Sequence, residues 1–278
     1  MKYNVSSLGR RAAALALALL LSIPPVFASS AGEPRLTTRL ELAQGLTYVN
    51  TVSQHPSTGR TESYALELSP DSGVQAIMLQ SSGTVYASAT IAGAVRQAQQ
   101  RGWQVLGAIN TDYFSTATGV PMGLSIEDGV YKSGAEGFGT IAVTDRGVEY
   151  VSDPQITMTL THQSTGQVTD IPHFNKWRTV GGLYLLNGDF STVSTRTDGS
   201  AGWMVRLKLA DGDEGAALAV NSDLSLEVTE VLRTDQSVSI GQDEYILTAP
   251  DGTQWDGLYD TFQVGDRVTL STRCENDA

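Results

Sequence analysis

Residues 90–109, TIAGAVRQAQQRGWQVLGAI, decide the reading of the fold. Ile91, Ala94, Val95 and Ala98 recur at i, i+3, i+4 and i+7, which is one apolar stripe of an α-helix. Thr90 stands where an N-cap hydroxyl accepts from the first turn, and Gly102 lies just past the end. The spacing therefore predicts a helix over about residues 90–101. The next run, Trp103–Ile109 (WQVLGAI), is apolar enough for a buried central strand. A helix followed by a buried strand, in a chain otherwise rich in short strands, predicts an α+β fold: a β-rich mixed sheet with one clear helix.

Short β-like runs continue on both sides. Tyr64–Leu68, Val74–Leu79, Thr140–Thr144, Trp203–Leu209 and Arg267–Leu270 carry the pattern, broken by Pro70-Asp71, Asp128-Gly129, Arg146-Gly147, Asp211-Gly212 and Asp251-Gly252. Composition shifts near Ala210. From Asp213 on, Ser and Asp dominate without a helix signal, and Val228–Leu232, Glu244–Thr248 and Phe262–Leu270 read as a small β-subdomain. The expected organisation is a leader over residues 1–28, an α+β region over 29–210 and the subdomain over 211–278.

The leader has a secretory pattern. Lys2, Arg10 and Arg11 form a basic segment, Ala12–Leu21 is uninterruptedly apolar, and Pro24-Pro25 precedes Val26-Phe27-Ala28. Cleavage near Ala28 is expected, with a secreted or cell-surface location in an envelope-bearing bacterium; an uncleaved N-terminal anchor is the alternative. The apolar run falls short of the roughly 20 residues that span a bilayer. Removing residues 1–28 takes away three basic and no acidic residues, moving the net charge from −12 to −15. Such a chain repels nucleic acid and anionic lipid, so neither is expected as a partner. Cys274 is the only cysteine, which excludes an intrachain disulfide, and His55, His162 and His173 are too scattered for structural zinc. No cofactor or metal is expected: Glu127 and Asp128 lack EF-hand spacing. Oligomeric state stays open.

The segment after the apolar run is the chemically informative one. It reads Asn110-Thr111-Asp112-Tyr113-Phe114, then Thr118-Gly119-Val120-Pro121-Met122-Gly123, then Glu127-Asp128-Gly129. Loops at strand ends build binding sites, and an amide, a carboxylate and two aromatics offer hydrogen bonds plus a flat surface for a sugar ring. Asn110 and Asp112 can equally stabilise a turn through their own backbone. Phe114 reads better as core than as a sugar platform. Gly119, Pro121 and Gly123 shape the loop. The chain holds no G-x-S-x-G, H-E-x-x-H or P-loop, so serine hydrolase, zincin and nucleotidase chemistry have no support.

Residues 105–130, VLGAINTDYFSTATGVPMGLSIEDGV, resemble the signature of the phosphodiester glycosidase family, which includes the uncovering enzyme acting on N-acetylglucosamine phosphodiesters. That pattern runs hydrophobic strand, Asn, two variable positions, two aromatics, then T-G-x-P-x-G and D-G. The likeness extends more weakly over about residues 40–270, through Phe174-Asn175, Arg178, Gly182-Leu183-Tyr184, Thr195 and the block from Val231 to Leu270, and is similar to the N-terminal half of such proteins. The R-T-A-x-G-like and N-L-D-G-G-G-S-like segments that usually follow are absent here. The chain is therefore expected to be a truncated product, with a natural short form that lost catalysis as the alternative.

The resemblance implies cleavage of a sugar C1–O bond with a phosphomonoester as leaving group, on extracellular or envelope glycans. A phosphate leaves without much help from a general acid, so such a site needs one carboxylate near C1 and donors for phosphate oxygens. The catalytic candidates are Asp112, as the carboxylate, and Asn110, as a donor. Tyr113, His173, Asn175 and Arg178 are the substrate-binding candidates, with a pocket expected between Asn110 and Arg178. Each has a plainer reading: Asp112 a solvated loop residue, Arg178 a surface ion pair, His173 a packing residue. A non-catalytic carbohydrate-binding or structural module is the alternative function.

Overall fold

The computed structural model describes residues 32–275 apart from 81–82, 145–146, 180, 192–194 and 196–198. The leader expected over residues 1–28 lies outside the described residues. The chain divides into two units, with the boundary between Val74 and Gln75.

The first unit is an antiparallel meander of β1 (Glu33–Ala43), β2 (Leu46–His55) and β3 (Gly59–Leu68). Gly45 turns β1 into β2 with φ +77°, a left-handed conformation that a side chain resists. At the next turn His55 Nδ1 accepts from the backbone N–H of Ser57 at 3.1 Å. Tyr48 and Tyr64 stack across β2 and β3 with ring centres 6.5 Å apart.

The second unit is built on one eight-stranded sheet. Its strands are β8 (Ile156–His162), β9 (Val168–Asp170), β10 (His173–Phe174), β11 (Tyr184–Asn187), β12 (Gly202–Leu209), β13 (Asp223–Thr234), β14 (Glu244–Pro250) and β15 (Arg267–Cys274). The order is β10-β11-β14-β12-β13-β15-β8-β9, antiparallel except for the two-residue β10–β11 pair. Strands from before and after Ala210 alternate in this one sheet. Two hairpins stand apart from it, β4 (Ser125–Glu127) with β5 (Val130–Ser133), and β6 (Thr140–Thr144) with β7 (Gly147–Val151).

Side chains alternate across a strand, and the central strands bury both faces. Trp203, Val205 and Leu207 join Leu226, Val228, Leu247, Val268 and Leu270 in the larger core. Met204, Ile246 and Leu186, one residue out of step, pack with Val85, Val120, Phe190 and Ile240 on the other side. Removing a large side chain from such a layer costs about 3–5 kcal/mol.

Helix α1 (Ile91–Gln100) forms where the spacing predicts it: Thr90 Oγ1 accepts from Gly93 N at 3.1 Å, and Gly102 takes φ +90° beyond the end. The α+β expectation is nevertheless corrected to a mostly-β fold, with 44% strand against 6% helix. The error lies in Trp103–Ile109, which forms no strand, and whose Trp103 and Ile109 are 45% and 62% exposed. A strand needs neighbours for its N–H and C=O groups, and among the described residues none pairs with this run. Val74–Leu79 likewise lies outside any strand. A single helical turn, α2 (Asp256–Tyr259), sits where the sequence offered no helix signal.

Candidate functional site

Beyond Ile109 the chain enters a tight loop. Met122 N–H donates to Tyr113 O at 2.8 Å, Ser115 N–H to Val120 O at 2.9 Å, and Phe114 bridges to Pro121. Gly119 closes the loop with φ +77°, and a Cβ there would lie 2.2 Å from Ala87 O, so glycine alone fits. Tyr113 stands 78% exposed on this loop.

Asp112 folds back onto the far side of the same loop. Its carboxylate accepts from the backbone N–H groups of Tyr113 and Gly123. A side chain at Gly123 would put a Cβ 3.3 Å from Asp112 Oδ1, so the glycine leaves room for the carboxylate. Burial raises the Asp112 pKa above the usual carboxylate value, opposed first by the charge of Lys176 and then by the two N–H groups.

Lys176 is the centre of the cluster. Strand β10 ends at Phe174, and Asn175 then takes φ +50°, a left-handed turn that asparagine tolerates. The turn sends Lys176 inward until only 3% of it is exposed. Its Nζ donates to three consecutive carbonyls, Pro121 O at 2.6 Å, Met122 O at 3.2 Å and Gly123 O at 3.2 Å. An ammonium has three N–H groups, so all are committed to the loop that carries the Asp112 ligand Gly123. Burial pushes the Lys176 pKa down to about 8, against the opposing charges of Glu136 and Asp112. Glu136 completes the group. Its hydrogen bond from His173 holds its carboxyl below the usual value, aided by the charges of Lys176 and His173 and opposed by burial. His173 Nδ1 meets Glu136 Oε1 at 3.2 Å, while its ring stacks on Tyr184 with centres 4.6 Å apart.

The candidates from sequence thus separate. Asp112 and His173 belong to one charged cluster, and Tyr113 stands beside Asp112. Asn110 is exposed just before them. Asn175 is buried and clamps the sheet edge: Nδ2 donates to Lys132 O and to Asn187 Oδ1, both at 2.8 Å, and Oδ1 accepts from Asn187 N at 3.0 Å. Arg178 is wholly buried. Its NH1 donates to Thr248 Oγ1 at 3.0 Å, its NH2 to Ser200 O, and a side chain at Gly202 would lie 2.5 Å from NH1. The guanidinium is part of the packing under β12 and β14. Sequence reasoning missed Lys176 and Glu136. Lys176 lies between the candidates Asn175 and Arg178, and only the left-handed turn at Asn175 reveals that it points inward.

A cavity of about 240 Å³ opens elsewhere, lined by Arg101, Glu127, Lys132 and Asp189 among others but by neither Asn110 nor Arg178. This is not the pocket expected between those two residues, and the Arg178 guanidinium is sealed in the sheet. Among the described residues no group of three His, Cys, Asp or Glu side chains is placed to hold a metal ion, and no helix is long and apolar enough to cross a membrane.

No protein-family profile matches the sequence, and no curated protein matches it. Among solved structures the chain is similar to the crystal structure of a hypothetical protein from Synechocystis, with a TM-score of 0.64 at 16% identity. The match covers 87% of this chain and 42% of that one. The chain thus spans less than half the length of the structure it resembles, and the likeness is one of fold.

Proposed function

We propose that the protein is an exported phosphodiester glycosidase-like protein that engages a sugar-1-phosphodiester at the rim formed by Asn110, Asp112 and Tyr113. The observation that carries this reading is the Asp112 carboxylate, gripped by the N–H groups of Tyr113 and Gly123 and underpinned by the buried Lys176 ammonium. Tyr113 offers its exposed ring to the apolar face of a sugar. Asp112 lies beside it, where a carboxylate stabilises positive charge at C1 as the C1–O bond to phosphate breaks; water then adds to C1 and its proton passes to solvent or to the departing phosphate. His173 uses Nδ1 on Glu136 and keeps Nε2 for a phosphate oxygen. Lys176 acts as a fixed positive charge under the loop, since its donors are all engaged.

One observation favours binding without turnover as a second reading. Asn175 and Arg178, expected to hold phosphate, are both occupied inside the sheet. The methyl phosphodiester of N-acetylglucosamine 1-phosphate separates the readings by phosphorus NMR. Release of methyl phosphate that disappears in Asp112→Asn supports hydrolysis at this rim. Saturable binding with no product supports the module, and neither binding nor product contradicts both.

A further inference from the structure

The cavity of about 240 Å³ is built differently from the Asp112 rim. Val85 is one of its lining residues, and the segment that carries it is tied to the chain beyond Asn187: Val85 N–H donates to Asp189 O at 2.7 Å and Tyr86 N–H to Phe190 O at 2.8 Å. Two ion pairs line it, Arg101 NH1 with Glu127 Oε1 at 2.5 Å and Lys132 Nζ with Asp189 Oδ1 at 2.8 Å. Val85 and Val130 give it a narrow apolar strip. The space holds about eight waters at the liquid volume per molecule, and it falls below the range of drug-sized sites. It suits one ring.

The remaining hydrogen-bonding capacity defines the ligand chemistry. Both oxygens of Glu127 already have a partner, since Oε2 also accepts from Gln80 N at 3.2 Å. Lys132 has used one of three N–H groups on Asp189, and Arg101 one of five on Glu127. Lys132 engages Asp189 through Oδ1, and Asp128, an exposed lining residue, adds a further carboxylate. The cavity therefore presents spare donors and spare acceptors side by side, while its two cations are already neutralised by partners. An anion meets three carboxylates against two paired cations. A cation meets Lys132 and Arg101 in the same space, and only the Asp128 carboxylate faces it without a paired cation. A hydroxyl both donates and accepts without bringing charge, so a ring of hydroxyls satisfies both sets at once.

We propose that this cavity is a binding site for a small neutral polyhydroxylated molecule, a single sugar or cyclitol ring. The inference is independent of the Asp112 reading, because none of the lining residues belongs to that cluster.

Nitrogen–proton NMR of the full mature chain, titrated with glucose, N-acetylglucosamine and myo-inositol, tests it. At least one of these is expected to give saturable shifts at the amides of Gly83, Asp128 and Val130 at millimolar concentrations. Asp128→Asn is expected to weaken that binding by about tenfold, the worth of one charged hydrogen bond. The variant keeps the fold, because Asp128 has φ +50° and asparagine adopts that conformation readily. Lys132→Met is expected to weaken it similarly, with shifts outside the cavity unchanged. The proposal is overturned if none of the three polyols shifts these amides, if inorganic phosphate or glycine does so while the polyols do not, or if both variants bind as the parent does.

Discussion

Lys176 allows the sharpest quantitative test of the cluster. Its pKa falls from 10.5 in an unfolded chain to about 8 in the folded protein, chiefly through burial. Below pH 8 both states carry the proton, and above 10.5 neither does. Between those limits the unfolded chain binds more protons, so unfolding free energy rises with pH across the window. The shift corresponds to about 3 kcal/mol of stability recovered on the way from pH 8 to 10.5. The perturbation is Lys176→Met, which keeps an unbranched chain in the channel and removes the titrating group. Urea unfolding followed by circular dichroism, run on parent and variant at matched pH values, isolates the lysine because every other group titrates in both. The parent is expected to gain on the variant by about 3 kcal/mol between pH 8 and 10.5. A difference flat to within about 0.5 kcal/mol, the scatter of additive sites, refutes a desolvated ammonium in that position.

Three further outcomes follow from particular contacts. Gly119→Ala must adopt φ +77° and push a methyl into Ala87 O, so it is expected to lose about 2 kcal/mol or more in denaturant unfolding. Asn175→Ala leaves Asn187 and Lys132 O without their amide partner and forces alanine into a left-handed conformation; a loss of about 2–4 kcal/mol is expected, with Asn175→Gly recovering the backbone part. Tyr131 and Tyr245 are each pushed up to about 12, mainly by burial. The folded state therefore holds their protons while the unfolded chain loses them above pH 10, and stability is expected to fall by about 2–3 kcal/mol per tyrosine between pH 10 and 12, a loss that Tyr245→Phe halves.

Local signals were legible where local physics decides. The Thr90 cap, the four-residue apolar stripe and Gly102 define α1 without help from distant residues. The β-like runs Trp203–Leu209 and Glu244–Thr248 also form strands, with both faces buried in the sheet. Trp103–Ile109 is different. Its apolar side chains suit a strand, but whether a strand forms depends on partners far away in sequence, and residue types do not carry that. Lys176 and Arg178 show the same limit for charge. Burying an isolated cation is costly, so residue types place Arg178 at the surface or on a ligand and single out nothing about Lys176. The fold instead surrounds Lys176 with three carbonyls and Arg178 with Thr248 and Ser200, satisfactions that only the assembled sheet supplies. The candidate site was accordingly half visible: Asp112, Tyr113 and His173 were named from sequence, while the lysine and glutamate that set their electrostatics were not.

The proposed role of Asp112 toward a sugar phosphodiester at this rim can be measured directly. The most direct measurement is the rate of methyl phosphate release from the methyl diester of N-acetylglucosamine 1-phosphate by the parent protein and by Asp112→Asn, with matching circular dichroism spectra. Turnover by the parent is expected, with a loss of at least about a hundredfold in the variant, the scale on which one catalytic carboxylate or electrostatic group acts. Equal rates in the two proteins, or no turnover and no binding by the parent, would contradict that role.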